Sequence, residues 1–273
     1  MSRLKISAIS YLNTAPLLWD FEHGEPGVPV RRDFDISYTI PSACAETLRA
    51  GSADIGIIPA AAYASIPDLV IIPNIAIASR QAVRSILLMS KVPVAQIRTV
   101  ALDTSSMTSV ALTKILFTKW LGGAREYTGM APDLGAMLAK CDAALLIGDP
   151  ALQVDRTRYV TLDLAEEWIR RTAKSFVFAF WAVRRGALAG QNGAAIAAAF
   201  QKSRDHGLNP ANLEAIVQDW GPRLNLPASM MRTYLSQNIH YYLDPPCLEG
   251  LKLFYRYAEE IGVLPHAPEL HFL

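Results

Sequence analysis

Short runs of apolar residues alternate with stretches of helical spacing over the first two thirds of the 273-residue chain. Apolar runs of this length, bounded by turn residues, are typical of buried strands, and the helical stretches between them are typical of crossover connections. The pattern predicts strands at Leu4 to Ile9, Asp35 to Thr39, Ile55 to Ile58, Ile75 to Ser79, Ser85 to Ser90, Thr99 to Leu102, Ala143 to Ile147 and Phe176 to Val183. This alternation predicts an α/β fold.

Proline or serine marks the start of several predicted helices, because Pro is preset for the first helical turn and Ser caps free N–H groups. The predicted helices of this part begin near Pro16, Ser42, Met107, Pro132 and Asp163. From about Gly193 the pattern is helical only. It predicts helices at Gly193 to Lys202, Pro210 to Trp220, Pro227 to Gln237 and Asp244 to Gly262.

Two passages follow the same order of elements, which suggests that two lobes share one plan. Leu48 to Tyr63 and Leu138 to Leu152 each contain a helix end, an Asp, a buried strand and a loop with Pro. Any α/β protein repeats helix, turn and strand, so this repeat is weak evidence by itself. With two lobes, a ligand is expected in the cleft between them, where strand carboxyl ends and helix N-termini converge.

The boundaries of the lobes follow from two strands that bracket the middle of the chain. Strands Ser85 to Ser90 and Phe176 to Val183 are predicted to carry the chain from one lobe to the other. We therefore assign residues 1–86 and 181–273 to the first lobe and residues 87–180 to the second. The C-terminal helices are expected to pack back on the first lobe.

Composition and charge exclude several classes of protein. Hydrophobic residues make up 51% of the chain and charged residues 19%, which is typical of an ordinary globular protein. The net charge of +1, with Lys and Arg spread along the chain, gives no field for nucleic acid or an anionic membrane. Pro59 and Pro73 interrupt the most apolar windows, so no membrane span is predicted.

The three cysteines are odd in number, far apart and in no CxxC spacing, which argues against a disulfide framework or a zinc site. We interpret them as small apolar residues in a reducing compartment. The first apolar run is broken by Ser10, Asn13 and Thr14 and lacks a cleavage pattern, so it is interpreted as a strand of a cytoplasmic protein.

Polar residues at the end of the first predicted strand are the first candidate site. Asn13 and Thr14 follow this strand and precede Pro16. A helix N-terminus offers free N–H groups and a partial positive charge, so an Asn amide beside it can complete a carboxylate site. Capping of the helix is the alternative, because Asn and Thr are common caps.

A second candidate is the stretch from Asp103 to Leu112, again where a strand meets a helix. Thr104, Ser105, Ser106, Thr108 and Ser109 place five hydroxyls in six positions, more than capping needs. Hydroxyls with free N–H groups suit a carboxylate or phosphate, although Ser-rich loops are also plain turns. The GxxxxGK[ST] pattern is missing, which argues against a phosphate loop.

Two further stretches contribute candidates. Ser79 and Ser85 flank the first predicted crossing and would face the cleft, whereas Arg80 and Arg84 are interpreted as surface residues. Gly148 permits close backbone approach, and Asp149 is either a catalytic carboxylate or the cap before Pro150.

Several catalytic patterns do not occur in the sequence. There is no GxSxG, HExxH or GxGxxG, and the five histidines show no ligand spacing. Covalent hydrolysis, metal catalysis and dinucleotide chemistry therefore lose support, and no metal or cofactor is predicted.

Taken together, six segments resemble, in order and spacing, the chorismate dehydratases of the futalosine route to menaquinone. They are SYLNTAPL, LRAGSADIGIIPAAAY, SILLMS, DTSSMTSVAL, ALLIGDPAL and FVFAFWAVRR. The resemblance implies the two-lobed architecture of type 2 periplasmic solute-binding proteins, in which each lobe is a mostly parallel sheet flanked by helices. One departure is TAKSF at residues 172–176, where the family usually reads closer to TGLPF.

The resemblance also implies an activity and site residues. It implies cofactor-free conversion of chorismate to 3-[(1-carboxyvinyl)oxy]benzoate and water. By family match, Asn13 and Ser85 contact one substrate carboxylate, and the loop of Ser105, Ser106, Thr108 and Ser109 contacts the other. Thr14, Ser79, Gly148 and Asp149 complete the predicted binding site.

The identity of the general base is a separate hypothesis. No His or Glu occurs in the matched motifs, so we hypothesise that the enolpyruvyl carboxylate of the substrate, positioned by Asn13, removes the C3 proton. Asp149 is the rival base.

Three other functions are weighed against the dehydratase. They are the dihydroxynaphthoate synthase of the same route, which the SYLNT opening argues against, a solute-binding protein for a small anion, and a regulatory effector domain. Neither the oligomeric state nor an oligomeric partner is predicted.

Overall fold

The computed structural model describes residues 3–24 and 34–273, and these residues form two five-stranded sheets. The first sheet has the order β2-β1-β3-β10-β4. Its strands are β1 (Leu4–Ile9), β2 (Phe34–Thr39), β3 (Ile55–Pro59), β4 (Leu69–Ser79) and β10 (Phe176–Arg184). Four of these strands run in one direction, and β10 is antiparallel to its neighbours β3 and β4.

The second sheet repeats this plan with the order β7-β6-β8-β5-β9. Its strands are β5 (Ile86–Ser90), β6 (Thr99–Asp103), β7 (Glu126–Met130), β8 (Ala143–Ile147) and β9 (Val160–Asp163). Here β5 is antiparallel to β8 and β9. In both sheets the reversed strand is the one that the chain forms directly after crossing, and the remaining strands make each sheet mostly parallel, as predicted.

Helices flank both sheets. Before the second sheet they are α1 (Trp19–His23), α2 (Pro41–Arg49) and α3 (Ala60–Tyr63), together with a 3-10 helix at Leu12–Leu18. Within the second lobe they are α4 (Thr108–Trp120), α5 (Leu134–Lys140), α6 (Gly148–Leu152) and α7 (Leu164–Thr172). Short 3-10 turns lie at Val94–Gln96, Arg156–Arg158 and Arg185–Leu188.

The C-terminal part is helical, as predicted. It contains α8 (Gly193–Gly207), α9 (Pro210–Leu224), α10 (Ala228–Thr233), a π-helical turn at Tyr234–Asn238, and α11 (Pro245–Glu260). Helix α8 packs against the 3-10 helix and β4, and α11 packs against β10. The C-terminal helices thus cover the first sheet.

All eight predicted strands are present, and two observed strands, β7 and β9, were not predicted. Both are edge strands with partly exposed residues, so neither shows the continuous apolar run that marks β8 or β5. The helix expected near Pro16 is a 3-10 helix in which Pro16 lies inside. The two similar passages contain β3 and β8, which occupy the same middle position in their sheets.

The chain crosses between the lobes at residues 80–85 and 173–175. All of β10 from Phe176 pairs in the first sheet, so the boundary predicted at residue 180 falls inside this strand. Each crossing contains a residue other than glycine with left-handed backbone, Arg84 with φ of 65° and Ala173 with φ of 53°. The TAKSF departure places Ala173 where the resembled family usually has glycine, which adopts this conformation without strain.

The apolar core is largely continuous across both lobes. Aromatic side chains of α7, β10 and α8 form its centre, with Trp168, Phe176, Phe180, Trp181 and Phe200 fully buried. The rings of Trp168 and Phe176 meet edge to face with centroids 5.3 Å apart. Across residues 3–24 and 34–273, we find no helix long and apolar enough to cross a membrane.

Candidate functional site

A narrow cavity of about 50 Å³ lies in the cleft between the lobes. The first lobe contributes Ile9, Tyr11, Asn13, Thr14, Pro41, Pro59, Ile77, Phe178 and Ala179 to its lining, and the second contributes Ile86, Ser106, Thr108, Ser109, Ile147 and Gly148. Both predicted strand-to-helix stretches therefore face one space. A larger open groove in the first lobe is lined by residues that include Thr14, Phe34 and Trp220, but no residue of the second stretch borders it.

The first stretch forms the loop from β1 to the 3-10 helix. The hydroxyl of Thr14 lies 2.6 Å from the carbonyl oxygen of Ile9 and 2.7 Å from that of Tyr11, so this hydroxyl holds the loop itself. The N-cap position is Tyr11, and no side chain caps it. Asn13 is therefore not the helix cap, and its amide, with 8% of the residue exposed, borders the cavity.

Most hydroxyls of the second stretch have partners inside the protein. Ser105 donates its hydroxyl to Asp103 Oδ1 at 2.6 Å and its backbone N–H to the same oxygen at 2.8 Å. The Ser106 hydroxyl accepts the N–H of Ser109 at 3.2 Å, which satisfies a donor in the first turn of α4. These bonds make Ser105 and Ser106 parts of the loop structure, and only Ser106 of the two borders the cavity.

Thr108 joins the two lobes through its hydroxyl. Its Oγ1 donates to the carbonyl oxygen of Phe178 at 3.0 Å and accepts the N–H of Ala61 at 3.1 Å. Ser109 differs, because this residue borders the cavity and its hydroxyl has no hydrogen-bond partner among the described residues. Of the four predicted residues of this loop, Ser109 has a hydroxyl with no bond within the described chain, and Ser106, whose hydroxyl only accepts, keeps its proton for a ligand.

The turn from β8 to α6 packs against the first lobe. Gly148 has φ of 62°, and a Cβ there would lie 2.6 Å from ring atoms of Tyr11. Residue 148 must therefore be glycine, because its backbone is left-handed and because a Cβ would clash with the Tyr11 ring. Asp149 accepts the N–H of Leu12 with its two oxygens at 3.0 and 3.3 Å. Its carboxylate therefore meets the N-terminus of the 3-10 helix of the opposite lobe.

The two serines at the first crossing are buried behind the cavity wall and do not border it. Ser79 lies 2.6 Å from the carbonyl oxygen of Gln81 and 2.9 Å from that of Asn238. The Ser85 hydroxyl accepts the hydroxyl of Tyr234 at 2.8 Å, and its carbonyl accepts the N–H of Gly148 at 2.8 Å. Arg84 belongs to this crossing through its N–H, which donates to Asp163 Oδ2 at 2.7 Å.

Burial dominates the electrostatics of the site. It raises the pKa of Asp149 to about 6, with only the N–H of Leu12 acting in the opposite direction. Burial likewise raises the pKa of Asp103, although the hydroxyl and N–H of Ser105 oppose it. The described cavity lining contains no Lys, Arg or His. Any carboxylate bound there must be held by amide, hydroxyl and backbone N–H donors.

Three functional candidates were missed in the sequence: Tyr11, Asp103 and Tyr234. Tyr11 borders the cavity, and its hydroxyl lies 3.5 Å from Ser105 Oγ. Asp103 orients that serine from the end of β6. Tyr11 and Asp103 lie in the segments SYLNT and DTSS. Their position next to the predicted site residues could have identified them as candidates. Tyr234 is far along the chain, in the C-terminal helices.

One group of metal-ligating side chains occurs in the described residues, away from the cavity. His240, Asp244 and Cys247 place potential ligand atoms within 4.8 Å of one another. Asp244 accepts the Cys247 N–H at the start of α11, accepts from His240 and pairs with Arg80. The guanidinium thus already supplies positive charge to this carboxylate.

A family model described as menaquinone biosynthesis matches residues 4–260. The chorismate dehydratase of Thermus thermophilus is 30% identical over 253 residues, which cover 86% of this chain and 89% of the relative.

Solved structures agree in fold. A protein from Archaeoglobus fulgidus aligns with a TM-score of 0.78 at 16% identity, covering 96% of this chain and 98% of that one. The periplasmic aliphatic sulphonate binding protein of Escherichia coli aligns with a TM-score of 0.67 at 19% identity, covering 98% and 95%. At these identities the matches show the fold alone, which is that of periplasmic binding proteins, as predicted.

Proposed function

The chain belongs to the menaquinone-biosynthesis family, and we propose that it is a chorismate dehydratase that converts chorismate to 3-[(1-carboxyvinyl)oxy]benzoate and water. The observation that carries the proposal is the pair of donors on opposite cavity walls. Asn13 stands on the first wall and Ser109 on the second, with no cationic side chain in the described lining. Chorismate carries two carboxylates, and each wall can receive one.

The donors present are strong enough for this task. A hydrogen bond to a charged group contributes roughly 1.5 to 3 kcal/mol. The N-terminus of the 13-residue helix α4 adds about 0.3 to 2 kcal/mol near its first turn, which lies at the cavity. Several such donors per carboxylate support micromolar binding, which needs about 8 kcal/mol after association costs. An arginine is not required.

The proposed reaction removes the C3 proton and expels the C4 hydroxyl. The electron pair of the C3–H bond forms the new ring double bond, the C4–O bond breaks, and the removed proton and the hydroxyl leave as one water. Because the ring becomes aromatic, much of the driving force lies in the substrate. The protein's task is to orient both carboxylates and to stabilise negative charge that develops on the ring carboxylate.

We propose that the enolpyruvyl carboxylate of the substrate acts as the base. Asp149, the rival base, directs its carboxylate at the N–H of Leu12, and the residue does not border the cavity. Its geometry supports a part in holding the closed lobes together.

A second candidate, supported by the fold, is binding of a small anion without chemistry. The first experiment mixes metal-free protein with chorismate and follows ultraviolet absorbance and mass. Formation of an aromatic enol ether lighter by one water would support the dehydratase. Tight binding with chorismate recovered intact would refute it and favour the binding protein.

A further inference from the structure

The π-helical turn Tyr234–Asn238 contacts the first crossing along its length. Asn238 donates its side-chain amide to the carbonyl oxygen of Ala82 at 2.9 Å, and its own carbonyl accepts from Ser79 at 2.9 Å. Gln81 donates to the carbonyl oxygen of Gln237 at 2.7 Å. A π-helical turn is rare and frequently occurs at functional sites. Here it supports the segment that leads into Ser85.

Tyr234 is the member of this turn that lies directly behind the cavity wall. Its hydroxyl donates to Ser85 Oγ at 2.8 Å, and the residue is buried. Burial raises the pKa of Tyr234, and the side chains of Ser85 and Asn13 act in the opposite direction, so the Asn13 amide lies near the tyrosine hydroxyl. The tyrosine hydroxyl thus adjoins both residues that the family resemblance assigns to one carboxylate.

The direction of the Tyr234–Ser85 bond fixes where the serine proton points. Because the Tyr234 proton is given to Ser85 Oγ, the proton of Ser85 must point away from the tyrosine. Asn13 itself forms part of the cavity lining. Among the described residues, the Ser85 proton has no acceptor.

We propose that Tyr234 is the positioning residue that fixes Ser85 behind the cavity wall and orients the adjoining Asn13 amide, which presents a hydrogen to the substrate carboxylate. The inference rests on the proposed function, since that carboxylate belongs to chorismate. Tyr234 does not border the cavity in the described lining and acts only through the two residues that it holds.

Tyr241 provides a matched control. It is also a buried tyrosine of the C-terminal part, but its hydroxyl has no hydrogen-bond partner in the described structure. Removing that hydroxyl breaks no bond. Tyr234→Phe and Tyr241→Phe therefore make the same chemical change at two buried rings, and only the first removes a hydrogen bond, the one to Ser85.

The test measures kcat and KM for chorismate in wild type, Tyr234→Phe, Tyr241→Phe, Ser85→Ala and the Tyr234→Phe/Ser85→Ala double variant, with Tm for each. We expect Tyr234→Phe to lower kcat/KM about tenfold, the effect of one well-placed hydrogen bond, and Tyr241→Phe to change it less than about twofold. On the Ser85→Ala background, Tyr234→Phe should lower kcat/KM less than on wild type, because part of its action is already lost.

Equal activities of the two phenylalanine variants would overturn the inference, as would a full tenfold loss on the Ser85→Ala background. Either result leaves the dehydratase intact. A wild-type protein that does not convert chorismate would instead refute the proposed function, so the two failures are distinguishable.

Discussion

The two loops that face each other across the cleft differ in which side chains hold the backbone and which remain available at the cavity. Both follow a parallel strand and lead into a helix, and both are rich in polar residues. In the first loop Thr14 holds the backbone, which leaves Asn13 at the cavity. In the second loop, hydrogen bonds within the protein involve the hydroxyls of Ser105, Ser106 and Thr108. The Ser109 hydroxyl has no such bond among the described residues.

The comparison shows that the number of hydroxyls in a loop does not measure its capacity to bind a ligand. The second loop has five hydroxyls in six positions, but the partners of Ser105 and Thr108 lie at Asp103, Ala61 and Phe178. Each loop offers few side-chain donors. Substitutions that compare hydrogen-bonded side chains with side chains that have no hydrogen bond test this difference directly.

The largest effect is expected from Asn13→Ala. Loss of a hydrogen bond to a substrate carboxylate should lower kcat/KM about 100-fold. Unfolding free energy should fall by at most about 1 kcal/mol, since Asn13 caps no helix. Steady-state kinetics and urea unfolding check both. A stability loss that accounts for the missing activity would contradict a binding role.

Asp149 should make stability depend on pH. Burial raises its folded-state pKa from 3.8 to about 6, so the folded protein binds this proton more tightly than the unfolded chain does. That contribution is complete below about pH 4 and is lost as the pH rises through about 6, by up to about 3 kcal/mol. Urea unfolding of wild type and Asp149→Asn from about pH 4 to 7 measures the difference.

Asp149→Asn keeps an oxygen that can accept the Leu12 N–H but cannot ionise, so its stability should vary less over this pH range. The same variant tests the base. If turnover disappears while chorismate affinity is unchanged, the substrate-assisted mechanism is wrong. Retained turnover would support a part for Asp149 in joining the two loops.

Gly148→Ala tests the contact of the second lobe with the first loop. A left-handed backbone costs an alanine about 1 to 2 kcal/mol, and its Cβ would meet the Tyr11 ring at 2.6 Å. We expect unfolding free energy to fall by about 2 kcal/mol. Gly186→Ala is the control, because φ there is not positive and no atom lies within 4 Å of its Cβ position. An equal loss in both variants would contradict the interpretation.

Ser109→Ala and Thr108→Val separate a free hydroxyl from a bonded one in the same loop. Ser109→Ala should lower kcat/KM about tenfold with little change in stability. Thr108→Val should mainly destabilise the protein, by about 1 to 3 kcal/mol, because the Phe178 carbonyl and Ala61 N–H lose a buried partner. Kinetics with thermal unfolding distinguishes the two. The reverse pattern would show that we have assigned these hydroxyls wrongly.

Much of the fold could be predicted because buried strands give continuous apolar runs. Strand β8, buried throughout, was predicted with its observed bounds, whereas the partly exposed edge strands β7 and β9 gave no such run. The candidate loops could be found from strand-to-helix transitions rich in Asn, Ser and Thr.

The partners of individual side chains could not be predicted in this way. The position of Ser85 beside a crossing suggested that it faces the cleft, yet its hydroxyl meets Tyr234, 149 residues later in the chain. Asp149 was expected to act locally or as a base, and its partner is Leu12, 137 residues earlier. Such contacts arise when distant segments pack, and no local propensity specifies them.

The two crossings also bear on the length of ligand that the cleft can accept. The left-handed residues Arg84 and Ala173 lie one in each of the two chain connections, and we expect these connections to restrict motion of the lobes largely to one rotation. If the proposed donors on each wall bind one acidic group each, the spacing of those groups in the ligand should set the angle at which that rotation stops. Selectivity then becomes a matter of molecular length: a dianion too short leaves one wall unbound, and one too long prevents Asp149 from reaching Leu12.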